Sequence, residues 1–353
     1  MNTDTLPASA WTGADLAQRE DDWIHHFSAA EIAELDAACA ALEHRGTLAM
    51  ESLARSDFAL PRLGPVLEDL GREIETGRGF AFLRGLPVER WGVEKSRLMY
   101  WGISHYIGIP IRQNARGDRL VKVTDVGVSR EKATARGPYG RGELHFHSDF
   151  ADVVGLMCLR VSRSGGISRI CSSRAILARM EVEHPEYIPV FEQGFRFYRK
   201  GEEAVDEPPV SAGHLPMLHW RRVEEPLFLF WPNFAKQGAQ ISGQPLTPLQ
   251  AAAIAYVDGV AHDPAMCLDT RFQPGDLQYL NNYKVLHSRT DFEDWPEPER
   301  KRYLERVWMR TREGRDYPAG FADLHGPDSL VRGFPIIPPQ VRAEREAAAP
   351  AAP

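Results

Sequence analysis

His145, His147 and Asp149, three side chains able to bind a metal ion, fall within the eight residues Glu143-Leu144-His145-Phe146-His147-Ser148-Asp149-Phe150. If this run is a strand, its period of two sends Leu144 and Phe146 to one side and His145, His147 and Asp149 to the other. Imidazole and carboxylate on one face suit a divalent first-row metal, and a further ligand must come from elsewhere in the chain. His287 is the best candidate. It closes the strand-like run Leu277 to Leu286, which follows the turn Pro274-Gly275-Asp276 and leads into Ser288-Arg289. A histidine taken alone is more often a packed or surface residue. A His-x-Asp pair, a distal His and an arginine-bearing strand, in that order, favour the ligand reading.

That arginine-bearing strand is Arg302-Tyr303-Leu304-Glu305-Arg306-Val307-Trp308-Met309. Alternation places Arg302, Leu304, Arg306 and Trp308 on one face. Two guanidinium groups among apolar residues need anionic partners if they are buried; otherwise they snorkel to solvent from an edge strand. A bidentate arginine on a dicarboxylate would satisfy one of them. Two histidines and one carboxylate that leave three positions open form the facial triad of non-heme iron oxygenases.

Together the motifs resemble the taurine dioxygenase and clavaminate synthase-like family of Fe(II)/2-oxoglutarate-dependent oxygenases. That family carries His-x-Asp/Glu, Gly-Gly-x-Ser/Thr, a distal His and Arg-x-x-x-Arg. Here these are His147-Ser148-Asp149, Gly165-Gly166-Ile167-Ser168, His287, and Arg302 with Arg306. Arg302 follows His287 by 15 residues, close to the family's usual gap. The similarity also takes in GFAFLRGLP at 79–87, GIPIRQN at 108–114 and NNYKVLHSRTDF at 281–292, so it spans about residues 75 to 310.

The resemblance implies Fe(II) on His147, Asp149 and His287, with 2-oxoglutarate and O2 as cosubstrates. It implies that the Ser168 hydroxyl contacts a 2-oxoglutarate carboxylate and that Arg302 pairs with the distal one. Arg306 would support that site or hold an acidic group of the substrate. His145 lies outside the family's ligand pattern and is expected in the pocket or packed beside it. Asn281 and Asn282 should point to opposite faces, and Asn282, Trp231, His145 and Arg306 are the candidate substrate contacts. Tyr139, in the run before the first ligand, is a candidate for the lid. The implied activity is hydroxylation of a small carboxylate-, amino- or sulfonate-bearing molecule, with release of succinate and CO2. Halogenating relatives carry Gly or Ala where Asp149 stands, so hydroxylation-type chemistry is expected.

Several elements must position these groups. Ser28 and Glu31 form a capping box ahead of Ile32, Leu35, Cys39 and Leu42, which predicts an amphipathic helix over 28–44. Leu63, Leu67, Leu70 and Ile74 predict a second helix, and residues 94–106 a third, with Phe80-Ala81-Phe82-Leu83 between them as a buried strand. From about residue 118 the texture becomes short strand-like runs broken by Gly and Pro: LVKVTDV, ELHFHSDF, GLMCLRV, SRICSS, GFRFYR, PLFLFW, LQYLNNYKVL and RYLERVWMR. Helical inserts are expected at 173–181 and 247–261. The fold class is therefore mainly β with flanking helices, built on a double-stranded β-helix (jelly roll) core. The expected organisation is a flexible N-terminus over 1–20, one catalytic domain over 21–341 and a disordered tail over 342–353.

The 353 residues are 43% hydrophobic and 10% aromatic, enough for a sizeable core. A net charge of −7 with no cluster of basic and aromatic residues argues against nucleic acid. The polar first twenty residues do not read as a secretion signal, and no run of about eighteen apolar residues could span a bilayer. Cys39, Cys158, Cys171 and Cys267 form no CxxC pair and are read as free, mostly buried thiols, which fits a cytoplasmic location. The oligomeric state is not legible. Two rival readings are weighed. The run His145-x-His147-x-Asp149 also begins the His-x-His-x-Asp-His motif of zinc hydrolases, but Phe150 stands where the next histidine belongs. A metal-binding jelly-roll module without catalysis is the other.

Overall fold

The computed structural model describes residues 7–46, 49–125, 140–222, 225–317, 321, 324–325 and 329–348. Its larger sheet has seven strands. Ile24–His26, Phe80–Arg84, Leu277–Asn281, Val153–Arg160 and Tyr303–Arg310 lie side by side in that order, and both Ile109–Ile111 and Leu120–Val123 pair with the last. The pairings are antiparallel apart from the parallel edge formed by Ile24–His26. A smaller antiparallel sheet has the order Cys267–Thr270, Ser168–Ser172, Val285–Arg289, Leu144–His147. From Leu144 onward the chain passes repeatedly between the two sheets, with Leu144–His147, Ser168–Ser172, Cys267–Thr270 and Val285–Arg289 in the smaller and Val153–Arg160, Leu277–Asn281 and Tyr303–Arg310 in the larger, a jelly-roll arrangement.

Alternation along the large-sheet strands sorts the core into two parts. Ala81, Leu83, Val153, Met157, Tyr279, Val307 and Met309 pack with Leu63, Leu67 and Ile74 of the helix Leu63–Thr76 and with Met99 and Ile103 of the helix Val88–Ile107. Their sequence neighbours Phe80, Phe82, Val154, Cys158, Leu280, Leu304 and Trp308 belong to the other cluster, which also holds Phe146, Ile170 and Val285 of the small sheet. Phe80–Arg84 and Val153–Arg160 are thus largely apolar on both faces, which explains why they read as nearly continuous hydrophobic segments. Gly155 is small for a reason of space, since a Cβ there would come within 2.6 Å of the Tyr279 ring and 2.7 Å of the Tyr100 hydroxyl.

The predicted helices are present. Ser28 and Glu31 cap Ala29–His44 reciprocally, Thr247 and Gln250 do the same for Pro248–His262, and the Ser172 hydroxyl caps Ser173–Glu183. Three expectations need correction. LQYLNNYKVL is not one strand. It splits into Leu277–Asn281 in the large sheet and Val285–Arg289 in the small one, because the Asn281 side-chain oxygen accepts the Tyr283 N–H (3.0 Å) and turns the chain between them. GFRFYR makes only isolated bridges, Phe195 to Leu215 and Tyr198 to Val210. The ends are also more structured than composition suggests.

At the N-terminus, Trp11 and Leu16 are buried, and the Trp11 indole N–H donates to Arg78 O (2.8 Å). Gly13–Ala17 is helical, with Gly13 N donating to Met266 O (3.0 Å). The expected disorder of 342–353 does not hold for Arg342 to Ala348, which continue the helix Pro339–Ala348; Arg345 donates to the carbonyls of Gly201 and Ala204. Cys39, Cys158 and Cys171 are buried and Cys267 half-buried, all as free thiols. Among the described residues no helix is long and apolar enough to cross a membrane.

Candidate metal centre and active site

Strand pairing assembles the metal-binding side chains. Leu144–His147 lies next to Val285–Arg289 with His287 directly opposite His147, and their rings are 4.3 Å apart. Asp149 follows two residues beyond the strand end, on a turn fastened by the side chain and the backbone carbonyl of one residue. Asn282 Oδ1 accepts the Asp149 N–H (2.9 Å), its Nδ2 donates to Ala151 O (3.0 Å), and its carbonyl accepts the Ser148 hydroxyl (3.0 Å). The result places His147 Nε2 3.9 Å from Asp149 Oδ1 and His287 Nε2 3.8 Å from Asp149 Oδ2. One ligand atom from each of the three lies within 4.8 Å of the others.

The electrostatics suit a divalent cation. Burial favours neutral imidazoles and pulls the His147 pKa down; His287 is pushed to about 3 by burial and by the neighbouring His147. Burial alone would raise the Asp149 pKa, but Arg306, His287 and His147 outweigh it and hold the carboxyl below its ordinary value. His147 Nδ1 lies 2.9 Å from His145 O, so the proton sits on Nδ1 and the Nε2 lone pair is left for a metal. Two neutral imidazoles and one carboxylate fit Fe(II).

Trp308 and Arg306 supply the orientation of Asp149. The Trp308 indole N–H donates to Asp149 Oδ2 (2.8 Å), and Arg306 Nη1 lies 3.4 Å from the same oxygen. Gln113 steadies Arg306, accepting from its Nε (2.8 Å) while donating to the carbonyls of Arg119 and Arg306 itself (both 2.8 Å). Trp308→Phe keeps most of the packing and removes the donor. It is expected to weaken Fe(II) binding about 10–100-fold, the usual effect of losing a group that orients a metal ligand. An Fe(II) titration followed by bound-metal analysis measures this. Unaltered affinity would leave the orientation of Asp149 to Arg306 alone.

A cavity of about 440 Å³ adjoins the triad, and Arg302, Ser168 and Gln278 line it. Arg302 is 6% exposed, and burial draws its pKa below the ordinary arginine value against the pull of Cys158 and Asp294. Among the described residues no carboxylate pairs with its guanidinium, which lies over the Phe292 ring at 5.3 Å. A buried, cavity-facing cation of this kind calls for an anionic ligand. Ser168 is delivered to the same cavity by Gly165 and Gly166. Both have φ of +67°, and a Cβ on Gly165 would come within 2.2 Å of Asp291 O, so the turn excludes larger residues. The Ser168 hydroxyl donates to Gln278 Oε1 (3.0 Å).

Gln278 was not anticipated, although a polar residue between Leu277 and Tyr279 on a buried strand was its signal. Gln278→Leu removes the acceptor at similar volume. It should raise the KM for a dicarboxylate cosubstrate about tenfold, corresponding to about 1–1.5 kcal/mol for a buried hydrogen bond, with a smaller change in kcat. Steady-state kinetics at saturating second substrate tests it, and an unaltered KM would give Gln278 a packing role only.

The other expected residues divide. Trp231 lines the cavity, fully buried against Phe150 (4.1 Å between ring centroids), and its indole N–H has no hydrogen-bond partner among the described residues. His145 lines the cavity from an exposed position, and Arg306 lines it while bound to Asp149. Asn282 needs correction as a substrate contact: its side chain is fully buried and committed to the backbone of Asp149 and Ala151. Asn281 points the other way, to Ile74 O (3.2 Å). Tyr139 lies outside the described residues. His325 and Phe334, from the segment after the last large-sheet strand, also line the cavity and pack together at 4.0 Å. Phe150 is buried between Trp231 and His325, so it closes the wall where a zinc hydrolase would need a ligand.

Comparison with known proteins agrees with this geometry. The model of the "Taurine catabolism dioxygenase TauD, TfdA family" matches residues 46–308. FR-33289 synthase of Streptomyces rubellomurinus is 28% identical over 317 residues, 89% of this chain and 92% of that protein. The taurine hydroxylase-like protein SAT17 of Stachybotrys chartarum is 28% identical over 296 residues, covering 80% and 74% respectively. Among solved structures, an asparagine oxygenase with Fe(II), hydroxyasparagine and succinate is similar at TM-score 0.65 and 19% identity, over 81% of this chain and 93% of that one. The non-heme iron oxygenase OrfP with Fe and α-ketoglutaric acid gives TM-score 0.59 at 18% identity, over 86% and 98%.

Proposed function

The chain belongs to the TauD, TfdA family of dioxygenases, and from that premise we propose that it hydroxylates a small amino-acid-like or otherwise acidic molecule. It is a 2-oxoglutarate-dependent non-heme iron oxygenase. Bound Fe(II), 2-oxoglutarate and O2 supply the oxidising chemistry, which ends in succinate, CO2 and hydroxylated product. The protein's part is to hold, orient and keep dry.

In this reading His147, Asp149 and His287 hold the iron. Arg302 takes the distal carboxylate of 2-oxoglutarate as a bidentate partner, with Ser168 and Gln278 beside it. His145 and Trp231 contact the substrate, and the part of Arg306 not engaged with Asp149 reaches an acidic group. A cavity of about 440 Å³ suits a small molecule beside the cosubstrate. Lys200, Lys236 and Arg289 share the cavity lining with one further acid, Glu143, a balance that favours a substrate with negative charge. The relatives support the same class: one similar structure holds hydroxyasparagine and another, of OrfP, holds hydroxy-arginine. Four free thiols support a reducing, cytoplasmic setting.

The observation that carries the reading is the buried Arg302 guanidinium in the cavity that the triad also faces. The test has two stages. Anaerobic Fe(II) with 2-oxoglutarate should give the weak visible charge-transfer band of the chelate, which a zinc hydrolase or an empty binding module would lack. A screen of amino acids and small organic acids should then find a compound that stimulates 2-oxoglutarate consumption and gains one oxygen atom by mass. A band without any stimulating acid would remove the substrate class and leave the cosubstrate site standing.

A further inference from the structure

A second cluster of metal-binding side chains lies beside the first and takes no part in it. Glu143, His145 and His262 each offer one ligand atom within 4.8 Å of the others. Glu143 and His145 come from the strand region that carries His147, and His262 from the last turn of the helix Pro248–His262. The geometry points to a second divalent-cation site, with a zinc-like preference, held by Glu143, His145 and His262.

Three observations carry it. His262 Nε2 is 3.4 Å from Glu143 Oε1. Metal bonds of about 2.1 Å at the tetrahedral angle put neighbouring ligand atoms about 3.4 Å apart, so this pair already has the edge length of such a site. Next, His262 is oriented from behind. Its Nδ1 lies 2.7 Å from Asp258 O and 3.5 Å from the Asp258 carboxylate, which fixes the proton on Nδ1 and leaves the Nε2 lone pair for a metal. The Phe146 ring meets its imidazole at 5.0 Å and 87°, which limits rotation. Finally, His145 is exposed and its ring lies 6.2 Å from that of His262, so the third ligand can complete the set by a rotamer adjustment.

Two imidazoles and one carboxylate suit a borderline cation such as Zn(II) and leave open positions for water or ligand. Among the described residues Arg169 competes for the carboxylate: its Nη1 is 3.8 Å from Glu143, while its Nε is nearer to Asp269, at 3.2 Å. Glu143, His145 and His262 share no ligand with His147, Asp149 and His287. The second site is therefore separate from the iron site, although Glu143 and His145 also line the cavity. It does not depend on the proposed hydroxylation.

The test is Co(II) binding to chelator-stripped protein, followed by calorimetry and by the visible absorption of the bound ion. Two equivalents are expected. His262→Ala and Glu143→Gln should each weaken one equivalent at least tenfold and leave the other in place, while His287→Ala weakens the other one. If His262→Ala does not fold, Glu143→Gln decides. A single equivalent in the unmodified protein overturns the proposal, and so do two equivalents that survive Glu143→Gln unaltered.

Discussion

Arg302→Ala will raise the 2-oxoglutarate concentration needed for half-maximal turnover far more than it alters the requirement for the primary substrate. The guanidinium is buried, faces the cavity and has no carboxylate partner among the described residues. Losing one member of such a desolvated charge pair costs about 2–5 kcal/mol. At about 1.4 kcal/mol per decade, that is a rise of about thirtyfold to several thousandfold. Arg302→Lys keeps the charge but loses the planar fork, so it should recover only part of the loss. Initial-rate measurements with each substrate varied in turn make the distinction. An unaltered 2-oxoglutarate requirement in Arg302→Ala would move the cosubstrate anchor elsewhere, with Arg306 the next residue to test.

Asp149→Ala should abolish most turnover. Removing a group that merely orients a ligand costs about 10–100-fold, so removing the ligand itself should lower succinate release by more than about a hundredfold. The same substitution strips the acceptor from Trp308 and leaves the Arg306 charge buried without its carboxylate, which adds to the loss. His147 and His287 remain to bind iron weakly, so bound iron should fall by less than turnover does. Assayed with iron, 2-oxoglutarate, O2 and chloride, the unmodified protein should give no chlorinated product. Full hydroxylating activity in Asp149→Ala would take Asp149 out of the metal site.

These residues were legible because their pattern is local. His147 closes a strand and Asp149 follows two residues on, so the pair shows in its spacing alone, and strand alternation groups Arg302, Arg306 and Trp308. His287 needed more. Its position at a strand end suggested a ligand, but its registry with His147 depends on the turn that carries the chain from one sheet to the other. That turn was hidden, because Asn281 and Asn282 sit inside a run that otherwise reads as a single apolar strand. Their side chains fold back on the backbone instead of facing the cavity, and Asn282 thereby serves the ligand turn.

Partnerships across long sequence separations were illegible in the same way. Trp11 looks like an isolated aromatic in a polar leader until Arg78 and Phe80 are brought to it. His325 and Phe334 stand beyond every recognised motif, and only the path of the chain after Arg310 returns them to the cavity. Thr311 N and the Tyr317 hydroxyl both bond the buried Asp152, which ties the start of that path down.

The pairing of His147 with His287 has a thermodynamic consequence. These two ligands are 140 positions apart in the chain, so an ion that joins them is a removable cross-link between remote parts of the polypeptide. The folded protein brings both nitrogens and the Asp149 oxygens together and the unfolded chain does not, so every increment of iron affinity is also an increment of resistance to unfolding. At free Fe(II) a hundredfold above its dissociation constant, the gain is about 2.7 kcal/mol. Anaerobic calorimetry should therefore record a lower Tm once iron is chelated, and Asp149→Ala should shrink that difference. The resting cofactor would act as a clasp as well as a reagent, so oxidative loss of the ion would shorten the protein's lifetime even where no substrate is present.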